Sequence, residues 1–136
     1  MYSALHVLGI PGKPSEVDVV ELLSKGLTKS NYLKAKDFTG FSHQDMAQIL
    51  SVSTKTLETK RGKDRLSDSA SERLLKLAEV AALGKAVFTD AILFREWLHR
   101  PLRPLEGKKP ADLMVNMYGL EMVRQLLGRI EHGVYS

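Results

Sequence analysis

Apolar side chains recur every three or four positions along nearly the whole chain, and no stretch alternates β-branched or aromatic residues with polar ones. That period, carried by the helix formers Leu, Ala, Lys and Glu, restricts the fold to helices packed on helices. The sequence predicts an all-α protein with an N-terminal unit over residues 1–66 and a C-terminal unit over residues 67–136.

Caps and stops divide the pattern into segments. After a loose start through Pro14, Ser15 opens a first helix that reaches Lys25, with Val17, Val20, Leu23 and Leu27 on its inner side and Gly26 as its stop. A second runs from Ser30 to Asp37 on Tyr32, Leu33 and Phe38, and Gly40 closes it. Ser42 caps a third that ends at Leu50, and a fourth follows Ser53 to about Arg61. The longest begins at Ser69, paired with Glu72 as a capping box, or alternatively at Ser67. Leu74, Leu77, Ala78, Ala81, Ala82 and Phe88 trace its stripe, whose small alanines suit the close approach of another helix, although ordinary core packing accounts for them as well. Thr89 caps a helix from Asp90 to Arg100, and three prolines stiffen the connector 101–110. Pro110 starts a short helix, and Asn116 caps a last one carrying Leu120, Val123, Leu127 and Ile130.

The segment Phe41 to Arg61, FSHQDMAQILSVSTKTLETKR, has the layout of a helix-turn-helix. Two short helices flank the turn Ser51-Val52-Ser53; Ala47 is small where they cross, Val52 plugs the core and Leu57 anchors the second helix. Ser51 stands where glycine is usual, which implies a left-handed residue at some cost. From Thr54 to Arg65 five basic side chains face two acidic ones, a local +3 against +4 for all 136 residues. Ser53, Thr54, Lys55, Thr56, Thr59, Lys60, Arg61 and Lys63 are the candidate DNA contacts, the cations for phosphates and the hydroxyls for phosphates or base edges. Such pairs also occur as plain packing units with a solvated charged face, so these residues alone leave both readings open.

Other chemistry finds little support. Without cysteine there are no disulfides, thiol nucleophiles or Cys-based metal sites. His6, His43, His99 and His132 are scattered without metal spacing. No phosphate loop, nucleophile elbow or carboxylate pair is present, so no catalytic residue, metal or cofactor is expected. Trp97 reads as a core anchor. No apolar run is long enough to cross a bilayer and the N-terminus does not resemble a secretory signal, so a cytoplasmic protein is expected.

The C-terminal half is more specific. Arg73-Leu74-Leu75, Ala78, Val87-Phe88, Trp97-Leu98, Pro101, Leu105, Gly107, Pro110, Leu113, Gly119, Glu121, Val123 and the closing LLGRIEHGVYS (126–136) follow one another at telling intervals. This series closely resembles the Xre/MbcA/ParS-type antitoxins, partners of RES-domain toxins in bacterial type II toxin–antitoxin pairs. The resemblance runs from about Val19 to Ser136. It implies a Cro/repressor-type helix-turn-helix that binds the operon's own promoter, and a helical toxin-binding domain whose C-terminal end blocks the toxin's NAD-binding cleft. Family toxins degrade NAD or ADP-ribosylate, and the antitoxin itself is not an enzyme. A homodimer within a larger toxin–antitoxin complex is implied by the same likeness. Three positions depart from the family pattern: Glu106-Gly107 where Gly-Gly is common, Lys109 where Ser or Thr caps, and Leu102 where Asn is frequent.

The tail fits that picture on physical grounds. An apolar, aromatic terminus should dock somewhere, into a partner's cleft or onto its own last helix. Arg129, Glu131, His132, Gly133, Val134, Tyr135 and Ser136 are therefore the candidate toxin contacts, with Tyr135 as the aromatic anchor. The competing reading is a stand-alone helix-turn-helix repressor whose C-terminal half only dimerises.

Overall fold

The computed structural model describes residues 3–133 and places nine α-helices in them, with no strand beyond an isolated bridge between Thr28 and Arg65. The helices are α1 (Ala4–Val7), α2 (Glu16–Lys25), α3 (Lys29–Thr39), α4 (His43–Leu50), α5 (Thr54–Thr59), α6 (Asp68–Phe88), α7 (Ala91–Leu98), α8 (Pro110–Leu113) and α9 (Met117–Glu131). A 3-10 turn, Arg103–Leu105, interrupts the connector before α8.

Short polar side chains set most starting points by accepting from the first free backbone N–H groups. Ser15 accepts from the Asp18 amide at 3.1 Å, Ser42 from Asp45 at 3.0 Å and Asn116 from Gly119 at 2.8 Å. The long helix takes the alternative start, with Ser67 accepting from the Ala70 amide at 3.1 Å. Thr89 does not cap α7. It ends α6 in a left-handed conformation (φ 58°), and the Asp90 carboxylate caps α7 by accepting from the Ile92 amide at 2.7 Å. A threonine forced to close one helix cannot supply the extended backbone that a cap of the next requires.

At 21 residues and about 30 Å, α6 is the axis of the molecule. Helices α1 to α4 pack on it from the N-terminal half, and α7 and α9 from the C-terminal half. Its Leu74, Leu77, Ala78, Val80 and Ala81 lie in one apolar cluster that extends from Leu5 to Leu127. Buried Ser71 is satisfied, since its hydroxyl accepts from the Leu27 amide at 2.9 Å. Trp97 is buried beside Phe88 and Phe94, as expected of a core anchor.

Three further expectations need correction. The N-terminal stretch is not loose: α1 sends Leu5, Val7 and adjoining Leu8 into the core, and a helix of four residues is too short to show a period. On α2, Val17 and Val20 are 66% and 63% exposed, while Val19, Leu22 and Leu23 turn inward. On α3, Leu33 is exposed and Tyr32, Ala35 and Thr39 are buried. A peripheral helix with few neighbours leaves apolar residues uncovered, and its sequence pattern then misreports which side is inside.

The two halves are joined at the end of α3. His99 Nε2 sits 3.0 Å from the Thr39 carbonyl, and the Arg95 guanidinium donates to the Asp37 carbonyl at 2.9 Å. Arg95 of α7 and His99 just after it thus supply donors to the carbonyls that a helix C-terminus leaves unpaired.

Candidate functional site

The helix-turn-helix forms around the turn that its sequence predicts. Met46, Ala47, Ile49 and Leu50 of α4 are buried, and the Val52 amide returns to the Ala47 carbonyl at 3.0 Å. Ser51 takes the left-handed conformation (φ 58°, ψ 45°) that glycine would hold at less cost. Ser53 caps α5, accepting from the Thr56 amide at 3.0 Å, and Leu57 alone of α5 is buried. Single anchorage leaves Lys55, Thr56, Glu58 and Thr59 of this six-residue helix to solvent.

The candidate DNA contacts divide into a helical set and a loop set. Lys55, Thr56 and Thr59 are exposed on α5, and Thr54 is half-buried at its start. The helix is shorter than expected: Lys60 is already extended, so Arg61 and Lys63 lie in the following turn. Local bonds engage several of these side chains. Ser53 Oγ lies 2.8 Å from Thr56 Oγ1, Thr59 Oγ1 donates to the Thr56 carbonyl at 3.3 Å, and Lys60 Nζ donates to the Arg65 carbonyl at 2.8 Å. Arg65 reaches away, donating to the Gly26 carbonyl at 2.8 Å. The turn itself is laced to the start of α3, where the Ser30 amide and hydroxyl donate to the Gly62 carbonyl at 3.0 and 2.9 Å.

Two residues beneath α5 escaped the sequence reading. Lys29 Nζ donates to the carbonyls of Leu57 and Lys60 at the end of α5. His43 on α4 has Nδ1 2.6 Å from Tyr32 Oη and Nε2 3.3 Å from the Thr54 carbonyl, with the Glu58 carboxylate at 3.8 Å. Tyr32 is fully buried, and burial pushes its phenol up to about 12.

The second candidate site lies at the end of α9. Leu120, Val123 and Leu127 face the core, whereas Arg129, Glu131, His132 and Gly133 are exposed, with Glu131 and His132 3.7 Å apart. Val134, Tyr135 and Ser136 lie outside the described residues. Higher on the same helix Tyr118 is 79% exposed and Met122 39% exposed. Both stand off the Leu120–Val123–Leu127 stripe, on the face of α9 turned from the core. Arg124 grips Glu121 through two nitrogens, its Nε at 2.8 Å from one oxygen and Nη2 at 2.6 Å from the other, and that hydrogen bonding holds the Glu121 carboxyl below its usual range. Among the described residues no group of three acidic or histidine side chains could hold a metal, and no helix is long and apolar enough to cross a membrane.

Comparison with known proteins matches both halves. A family model described as the antitoxin Xre/MbcA/ParS C-terminal toxin-binding domain fits residues 83–133, and one described as the antitoxin Xre-like helix-turn-helix domain fits residues 18–79. A Sphingobium sp. (strain YBL2) protein named Prs ADP-ribosylating antitoxin is 30% identical over 99% of this chain and 87% of its own length. An Antitoxin Xre of Pseudomonas putida (strain KT2440) is 24% identical over 93% of this chain and 79% of its own. Another, from Photorhabdus laumondii subsp. laumondii, is 26% identical over 85% of this chain and 79% of its own. With a helix-turn-helix ahead of a toxin-binding domain on one α6 axis, the chain belongs to the Xre/MbcA/ParS family of type II antitoxins.

Proposed function

We propose that this antitoxin neutralises a RES-domain toxin by inserting its C-terminal residues, Arg129 and Glu131 to Ser136, into the toxin's NAD-binding cleft. Residues 67–136 form the toxin-binding part and act by obstruction, with no catalysis and no cofactor of their own. The observation that carries this reading is the exposed polar face at the end of α9, whose Ile130 still packs on the core. Its Arg129, Glu131 and His132 face solvent while Leu127, one turn earlier, is fully buried. A cation, an anion and an imidazole at an exposed helix end suit a polar cofactor cleft. The Sphingobium relative's name couples an antitoxin with ADP-ribosylation, which supports an NAD-consuming partner.

Residues 1–66 serve as the DNA-binding part and repress the antitoxin's own operon from its promoter. Lys55, Thr56 and Thr59 on α5, with Lys60, Arg61 and Lys63 behind them, support contacts to phosphates and base edges. A homodimer inside a larger cytoplasmic toxin–antitoxin complex suits a repressor of this class, because two half-sites need two recognition helices.

The test is co-purification with the protein encoded beside it, followed by NAD consumption with and without this chain. The full chain should suppress consumption, and a chain lacking residues 129–136 should leave it running while remaining helical. Full protection by the truncated chain would remove the tail from the mechanism.

A further inference from the structure

We infer that Lys29 and His43 are positioning residues for DNA recognition, pinning the two ends of α5 by their grip on its backbone carbonyls. The inference rests on the DNA-binding reading above and adds to it the parts that set the aim of the recognition helix.

The need for such parts follows from length and burial. A six-residue helix does not persist by itself, and α5 has Leu57 as its single buried side chain. One apolar knob fixes where a helix sits and leaves its rotation and tilt soft. Two further points of attachment, one at each end, define an axis. At the C-terminal end the Leu57 carbonyl, which accepts from the Lys60 amide at 3.4 Å, keeps a second lone pair at the negative end of the helix dipole, and the Lys60 carbonyl follows just past the helix, a natural seat for an ammonium. Lys29 Nζ occupies it from the first position of α3, half-buried and 28 residues away from Leu57 in sequence. Its charge is committed to protein carbonyls.

At the N-terminal end the chemistry of His43 fixes the direction of each bond. The Thr54 carbonyl only accepts, so Nε2 carries the hydrogen that faces it. In the neutral ring Nδ1 then accepts, and the donor facing it is the Tyr32 hydroxyl at 2.6 Å. Tyr32 is buried in α3, so the chain Tyr32–His43–Thr54 runs from the core through α4 to the first residue of α5. The Glu58 carboxylate lies 3.8 Å from the same Nε2, one turn further along α5.

Full-length Lys29→Met and His43→Phe, with Lys29→Arg and His43→Gln as conservative partners, provide the test. Affinity is measured for a duplex carrying the operon's own promoter and for a scrambled duplex over a range of salt, and amide hydrogen exchange is measured in the free protein. Each disruptive variant should lose about tenfold in promoter affinity, with scrambled-duplex affinity and salt slope unchanged. The amides of α5 should exchange about tenfold faster in both. The conservative variants should recover most of the loss, and toxin neutralisation should not move. Exchange at α5 equal to the wild type in both disruptive variants would overturn the inference. So would a salt slope reduced by about one in Lys29→Met, which would make Lys29 a phosphate ligand. Should the wild type itself fail to distinguish the two duplexes, the DNA reading falls, and exchange at α5 still decides whether the two side chains hold the helix. If His43→Phe does not fold, Lys29→Met, at a half-buried site, decides on the same two readouts.

Discussion

The ring of Phe94 presses against the backbone of Gly84, so closely that a Cβ at position 84 would lie 2.1 Å from its Cε1. Helix α7 thus approaches α6 closely at Gly84. Phe94 is fully buried and stacks on Phe88 and Trp97, so the ring has no room to retreat. Gly84→Ala should therefore cost about 2 kcal/mol in spite of alanine's better helix propensity. Gly128, also inside a helix, has nothing within 4 Å of the same added atom. There the identical change should stabilise by about 0.5–1 kcal/mol. Urea unfolding of the two variants compares them directly, and shifts of the same sign would contradict the packing argument.

Two non-glycine residues, Ser51 and Glu106, hold left-handed conformations at φ 58° and 57°, a backbone that glycine adopts at less cost. Both are exposed, so removing the side chain leaves no cavity. Ser51→Gly and Glu106→Gly should each raise stability, by up to about 1 kcal/mol, the relief of left-handed strain being partly offset by a more flexible unfolded chain. The double variant should show the sum, because each strain is confined to the backbone of its own turn. Thermal midpoints that fail to rise in either single variant would mean that these turns carry no strain.

What sequence could and could not reveal divides along the range of the interactions. Ser15, Ser42 and Asn116 were legible as caps because a cap acts over three residues, and Ser51 was legible as a left-handed turn because the helix-turn-helix spacing demands one. Val17, Val20 and Leu33 were misplaced because their burial depends on which neighbours cover α2 and α3, and no local period records that. Lys29 and His43 were passed over for the same reason: their partners are carbonyls 28–31 and 11 residues away, and a carbonyl belongs to every residue type. Of the second site, the exposed end of α9 follows from where its apolar stripe stops, and Tyr118 and Met122 could have been found as the apolar residues that stripe omits.

Alkaline pH should expose the burial of Tyr32. Its folded pKa of about 12 lies above the ordinary value of 10.0, so between them the unfolded chain sheds a proton that the folded chain keeps. The stability tied to this phenol is therefore fully present below about pH 10 and is lost as pH rises toward 12. Urea midpoints followed from neutral pH to about pH 12 should fall in the wild type. Tyr32→Phe should start lower, by about 1 kcal/mol for the lost bond to His43, and decline less steeply. Parallel declines in the two proteins would assign the alkaline loss to other groups.

Lys55 and Lys60 should differ in their effect on DNA binding, although the sequence treats them alike. Lys55 is exposed on α5, whereas Lys60 is half-buried with Nζ bonded to the Arg65 carbonyl at 2.8 Å. A lysine must give up that bond before it meets a phosphate. Lys55→Gln should weaken promoter and scrambled duplexes equally and lower the salt slope by about one. Lys60→Gln should change the slope less. Equal slope losses measured by anisotropy would place both ammonium groups on the DNA backbone.

If the toxin docks on the C-terminal half as proposed, its footprint should extend up α9 from Arg129 to Tyr118. Tyr118 and Met122 lie on successive turns, and Met122 shares with Arg129, Leu126 and Pro104 a groove of about 100 Å³ beside the 3-10 turn. A tyrosine 79% exposed on a rigid helix contributes almost nothing to the antitoxin's own stability, yet it is the kind of side chain on which interface energy concentrates. Tyr118→Ala and Met122→Ala should leave the unfolding midpoint within about 0.5 kcal/mol of the wild type. Each should weaken toxin binding by at least about tenfold, read by titrating the antitoxin into an NAD-consumption assay. Unchanged titrations for both would confine the contact to the residues after Leu127, and the exposed face of α9 would then need another explanation.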